Sequence, residues 1–169
     1  MIKLTRWATA LLAVIVLAPN ALPSKAFAED QDVIDYRQHI MKALDAQTAA
    51  VGQILSFSIP EDQLPSHLET IAITAKTALK SFEQNVPGGE ALPAVWENWG
   101  DFTARMNDFV DRMEKAAEHA KTGGREAIMG EIVLALSCKS CHDIYREKNS
   151  KQFSCAGLSP KGHGLSPLE

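Results

Sequence analysis

Apolar positions recur at three- and four-residue intervals over four long stretches of this chain, the period of a helix that buries one face. In the first stretch, from about Asp32 to Ser58, Val33, Arg37, Ile40, Leu44, Val51 and Ile54 share a face, with Ile34, Met41 and Leu55 beside them. Ile59-Pro60 ends it. The second opens on Ser66-His67-Leu68-Glu69, the spacing of a capping box, and carries Leu68, Ile71, Ala75, Leu79 and Phe82. Beyond Pro87-Gly88-Gly89 and Pro93, a third stripe runs through Val95, Trp99, Phe102, Met106, Phe109, Met113 and Ala117, and Gly123-Gly124 is expected to stop it. The fourth places Ile128, Ile132, Ala135, Cys138, His142 and Tyr145 on one face. No stretch alternates apolar and polar long enough to predict a strand. The pattern predicts an all-α fold, an antiparallel up-down four-helix bundle with short connections.

Both ends of the chain fall outside this pattern. Lys3 and Arg6 precede an apolar run from Trp7 to Ala18, broken by Pro19, Asn20 and Pro23, and Ala26-Phe27-Ala28 supplies a small-x-small cleavage pattern. These are the parts of a secretory signal peptide, and the run is too short for a permanent anchor, the competing reading. Residues 1–28 are therefore expected to be removed by cleavage after Ala28, leaving a domain over 29–148 in the periplasm with no membrane attachment in its mature form. Residues 149–169 are rich in Ser, Gly, Pro and Lys, lack periodicity, and are expected to form a flexible tail. No internal repeat is present.

Charge narrows the choice of partners. The leader holds three of the 17 basic residues and none of the 21 acidic ones, so the mature chain has 14 against 21, a net −7. That balance argues against nucleic acid and against an anionic membrane surface.

Three cysteines in an exported chain cannot all pair internally. Two of them lie in Cys138-Lys139-Ser140-Cys141-His142, the C-x-x-C-H spacing of covalent c-type haem attachment. Thiols on successive turns can each add to a haem vinyl group, and the adjacent histidine can reach the iron from one face. Other readings are weaker. A thioredoxin-like pair needs a βαβ context, a zinc site lacks a second ligand pair, and a disulfide between adjacent helical turns is strained.

The run Cys138-Lys139-Ser140-Cys141-His142-Asp143-Ile144-Tyr145-Arg146 resembles the C-terminal haem site of the cytochrome c′ family, the four-helix-bundle class of c-type cytochromes. Tyr36-Arg37-Gln38-His39-Ile40-Met41 and Pro93-Ala94-Val95-Trp96 extend the likeness, which covers about Asp32 to Lys148 and leaves the tail unmatched. The resemblance implies one covalent haem c, attached through Cys138 and Cys141, with His142 as proximal iron ligand. It also places Arg146 near that ligand and Arg37 near the haem propionates, against the alternative that either arginine only solvates a helix face. Trp96 and Trp99 are expected in the core.

The family has two functional types. In one, five-coordinate iron binds NO or CO; in the other, cytochrome c-556, a methionine of the first helix is the sixth ligand and the protein carries electrons. The deciding position, one turn after Arg37, is Met41. A methionine on an apolar helical face is more often core, as Met106, Met113 and Met129 illustrate, so the gas-binding type stays open as the alternative. His39 is displaced from the Arg37 face, and His67, His119 and His163 have no spacing that recommends them. The expectation is an exported monohaem electron carrier, not an enzyme. It would meet redox partner proteins transiently and could pair as a homodimer through its first two helices. From a different class, a haemless helical interaction protein with a cysteine pair also fits the periodicity. The tail departs from the family pattern, and its Cys155 has no assigned role.

Overall fold

The computed structural model describes residues 29–136 and 138–148, so the expected signal peptide and the tail with Cys155 lie outside the described residues. Five helices follow in order: α1 (Asp30–Leu55), α2 (Leu64–Ser81), the single turn α3 (Ala94–Glu97), α4 (Trp99–Ala135) and α5 (Cys138–Tyr145). Among the described residues the only β features are isolated bridges, Gly88 with Ala91 and Ala91 with Arg146.

Helix α1 forms as its periodicity requires, with Asp30 and Asp32 in the first turn complementing the helix dipole. Helix α2 starts two residues before Ser66. Pro65 sits in its first turn, where a residue with no N–H and a preset φ fits best, so Ser66 is already helical and the expected capping box does not form.

The expected third and fourth segments share α4. Gly124, at φ 60° and ψ −154°, adopts a conformation nearly exclusive to glycine; there the first helical limb stops, as Gly123-Gly124 predicts, and a second limb folds back from it. His119 Nδ1 lies 3.0 Å from Glu131 Oε1, and Tyr145 bonds Asp101 further on. Partners twelve residues apart along one straight helix would stand about 18 Å from each other, so the two limbs of α4 are antiparallel rods joined at Gly123-Gly124. The same crossed pairing relates Gln47 to His67 between α1 and α2, and Glu69 to Lys121 and Lys76 to Glu114 between α2 and the first limb of α4. The rods α1, α2 and the two limbs therefore make an up-down four-helix bundle, with α5 extending the last limb.

The fold-back is tied down by a segment far away in sequence. Glu61 accepts from the Arg125 backbone N–H at 2.8 Å and from its Nε at 2.9 Å, capping the second limb from the α1–α2 loop. Arg125 Nη1 also donates to the Ile54 carbonyl at 2.7 Å.

Two apolar clusters stack along the bundle. One gathers Val51, Ile54, Leu64, Leu68, Ile71, Met113, Ile128 and Ile132 near the Gly124 end. The other, around Ile40, Ala78, Phe82, Val95, Phe102, Met106 and Tyr145, lies at the end that carries the cysteine motif. Helix α2 packs along both α1 and α4, whereas α1 and α4 meet at few points. The space between them is the site.

Candidate haem-binding site

A cavity of about 290 Å³ opens between α1, the Gly88–Ala91 loop, the first limb of α4, and α5. The six residues singled out in the sequence, Arg37, Met41, Cys138, Cys141, His142 and Arg146, all line it. Arg37 and Met41 reach it because they fall one turn apart on the inward stripe of α1. Leu44, Phe82, Val95, Phe102, Met106 and Phe109 supply apolar wall.

Helix α5 is anchored against the rest of the site. Tyr145 is buried, its hydroxyl donates to Asp101 Oδ2 at 2.5 Å, and Arg105 Nε donates to the same oxygen at 2.6 Å. The Tyr145 ring meets Phe102 edge-on at 5.2 Å, and Phe102 meets Phe82 edge-on at 5.0 Å. Beyond α5, Leu92 N donates to the Tyr145 carbonyl at 3.0 Å and Glu147 N to the Glu90 carbonyl at 2.9 Å, stitching the loop to the end of the helix. Gly89 allows the loop to close on α1: a Cβ there would stand 2.3 Å from Ile34 Cγ2, and its φ is +60°. Gln38 Nε2 bonds the Gly89 carbonyl at 2.9 Å.

Arg37 is buried at 3 % exposure, although it is a residue type that rarely is. Its Nη2 donates to the Val86 carbonyl, and its guanidinium lies 5.0 Å from the centre of the Phe82 ring and 5.3 Å from that of Trp96. Burial lowers its pKa from the usual value. Its Nη1 is buried with no hydrogen-bond partner among the described residues, and a cationic donor in that position is costly unless an anion meets it.

The His142 imidazole is held neutral. Burial first, then the Arg146 charge, push its pKa down to about 4, against a smaller opposing effect of Asp143. A neutral ring offers a nitrogen lone pair to a metal. Cys141 is a free, half-buried thiol, and burial raises its pKa. Because Cys141 is free, the two motif cysteines are not joined to each other. Thioether attachment draws on both as thiols. Among the described residues no group of three or more His, Cys, Asp or Glu could hold a metal ion.

An apolar cavity, paired cysteines one turn apart, a neutral imidazole and one orphaned cationic donor together fit haem c, whose carboxylates would supply the acceptor that Arg37 lacks. The sequence model described as cytochrome C′ matches residues 32–146. The chain belongs to the cytochrome c′ family. Its cofactor is accordingly one covalent haem c. The chain is 26 % identical over 127 residues to a cytochrome c′ of Alcaligenes xylosoxydans, covering 72 % of this chain and 98 % of that protein. It is 25 % identical to a cytochrome c-556 of Agrobacterium fabrum over 68 % of this chain and 81 % of that one. The solved cytochrome c′ of Shewanella frigidimarina superposes with a TM-score of 0.65 at 27 % identity, covering 72 % of this chain and 98 % of the other.

Within this cytochrome, Trp96 and Trp99 pack against the second core cluster and do not line the cavity; Trp96 Nε1 donates to the Phe82 carbonyl at 2.8 Å. His39 is exposed, bonded to the Asp35 carbonyl at 2.7 Å, and off the cavity. The site also holds residues the sequence reading passed over. Asp45 continues the Arg37–Met41 stripe by one more turn, a spacing that could have found it. Gln38, Asp101 and Arg105 matter through the Gly89 loop and Tyr145, which are distant in sequence, and no local pattern marks them.

Proposed function

We propose that this cytochrome is a periplasmic one-electron carrier and not an enzyme, with Met41 and His142 as the two protein ligands of the iron. The observation that carries this reading is the shared cavity: Met41 enters it from α1, one turn from buried Arg37, while His142 enters it from α5. When bound, the haem supplies the redox chemistry, passing between ferric and ferrous states. Cys138 and Cys141 hold it covalently. His142 presents its neutral imidazole, and Met41 is long and flexible enough to present a soft thioether. Methionine–histidine ligation raises the reduction potential, and a ligand pair kept in both oxidation states suits rapid exchange. Arg37 neutralises a haem carboxylate, and Arg146 adds a second cation beside His142.

Export through residues 1–28, with cleavage after Ala28, would deliver the protein to the periplasm. There its partners are other redox proteins, met transiently, and a second copy that pairs through α1 and α2. No helix among the described residues is long and apolar enough to cross a membrane.

A specific observation also favours the alternative, a five-coordinate cytochrome that binds NO or CO. Met41 packs against the second apolar cluster, as a methionine that merely covers the haem would. The visible spectrum of the purified protein, oxidised, reduced and under CO, separates the two. A low-spin spectrum that resists CO supports the carrier. A high-spin spectrum with ready CO binding makes it the gas-binding type, and a protein without haem refutes both.

A further inference from the structure

We infer that the carboxylate of Asp45 is a fixed negative charge in the cavity that biases the bound haem toward its ferric state. Asp45 is half-buried and lines the cavity on the same α1 stripe as Arg37 and Met41, one turn beyond the methionine. The lining also holds Arg105 and Arg112 from α4, Arg146 after α5, Arg37 on its own helix, and the carboxyl group of Glu90 from the loop before α3. Asp108, also on the cavity wall, is ion-paired with Arg112 at 2.7 Å and so contributes little net charge. Burial pushes the Asp45 carboxyl up and the Arg146 guanidinium pulls it down, so this group is partly desolvated and electrically coupled to the end of the haem helix.

The consequence follows from Coulomb's law. Reduction adds one electron to the iron, taken from the partner or mediator, with no bond made or broken, and removes one unit of positive charge from the cavity. A carboxylate there interacts more favourably with the ferric state, and partial burial limits its screening by salt. The arginines act in the opposite direction, but Arg105 and Arg112 are already paired with Asp101 and Asp108, so Asp45 offsets chiefly Arg37 and Arg146. It stands one turn from Met41 on the same face of α1 and would act on the bound haem through space. The inference rests on the chain carrying haem and holds for either sixth-ligand state.

The test uses the haem-loaded protein equilibrated with a redox mediator at the wild-type midpoint, reading the ferrous-to-ferric ratio from the visible spectrum. Asp45→Asn should move that ratio roughly three- to tenfold toward ferrous, the size expected of one partly screened charge. Asp45→Glu keeps the charge and should stay within about twofold of wild type. Asp62→Asn, the same charge change on an exposed residue of the α1–α2 loop, should do likewise. The inference is overturned if Asp45→Asn shifts no more than Asp62→Asn. It is equally overturned if Asp45→Glu shifts as far as Asp45→Asn, because shape and not charge would then be responsible. Haem-loaded protein with an unchanged ratio in Asp45→Asn removes this inference alone, whereas a wild-type chain lacking haem removes the functional reading as well.

Discussion

At the scale of single residues, the site is built from groups that would be costly if left as they stand. Arg37 has given up water on every side and meets a carbonyl, two aromatic faces and an open cavity, with one nitrogen lacking an acceptor. His142 is neutral at neutral pH, its pKa lowered to about 4, and therefore keeps one nitrogen lone pair available. Met41 differs in kind, because a thioether asks little of its surroundings and could sit in this wall with or without a metal. Changing Met41 to alanine separates these possibilities. With the proposed Met41 ligation, truncation leaves the thioether-bound haem and His142 in place and vacates the sixth position. The variant is expected to become high-spin, to bind CO readily and to show a lower reduction potential, read by visible spectroscopy and redox titration. An unchanged low-spin spectrum would assign the sixth ligand to another residue. Much of this site was legible in the sequence, because C-x-x-C-H and the Arg37–Met41 spacing are local patterns and helical geometry projects them onto definite faces. Asp101 was not legible: its importance comes from Tyr145, 44 residues away, with Arg105 bonded to the same carboxylate oxygen.

At the scale of elements, the hydrophobic period locates helices well but says little about how they end. Ser66 and Glu69 have the spacing of a cap, yet Leu64-Pro65 begins the helix earlier. Gly123-Gly124 reads as a stop, since glycine lowers helix propensity, and it does stop the first limb, with the chain bending there into the antiparallel second limb. What makes that bend stable is Glu61, which supplies the acceptor for the Arg125 N–H that the broken helix would leave unpaired. A partner from another helix pair is invisible to any local reading. The bend makes a direct prediction. A Cβ on Gly124 would lie 2.9 Å from both carboxylate oxygens of Glu61, at a φ that L residues rarely adopt. Gly124→Ala should therefore strain the backbone and displace the cap, costing about 1–3 kcal/mol. A denaturant melt measures this, with haem spectra left unchanged because the second limb still carries α5. A variant as stable as wild type would show that the bend tolerates ordinary residues.

At the scale of the whole molecule, the two core clusters divide the work. The cluster near the Gly124 end is closed by aliphatic side chains from all four rods and needs nothing further to exclude water. The cluster near the motif borders the cavity, where α1 and α4 stand apart, so filling that cavity completes the packing there. Fold and cofactor are thus coupled, and the coupling raises the question of what keeps the haem in place when the fold is lost. A noncovalent cofactor is retained only while the native state persists, and native states of single domains are stable by only about 5–15 kcal/mol. Thioethers through Cys138 and Cys141 do not depend on that margin. Haem should therefore remain with the polypeptide after denaturation and acid-acetone extraction, detected as haem absorbance migrating with the unfolded chain. Replacing both Cys138 and Cys141 with serine should abolish that retention, because His142 alone holds haem through coordination that acid breaks by protonating the imidazole. Each single replacement should retain haem through its one remaining bond. Extraction of haem from the native protein, or persistence in the double variant, would refute attachment at this motif.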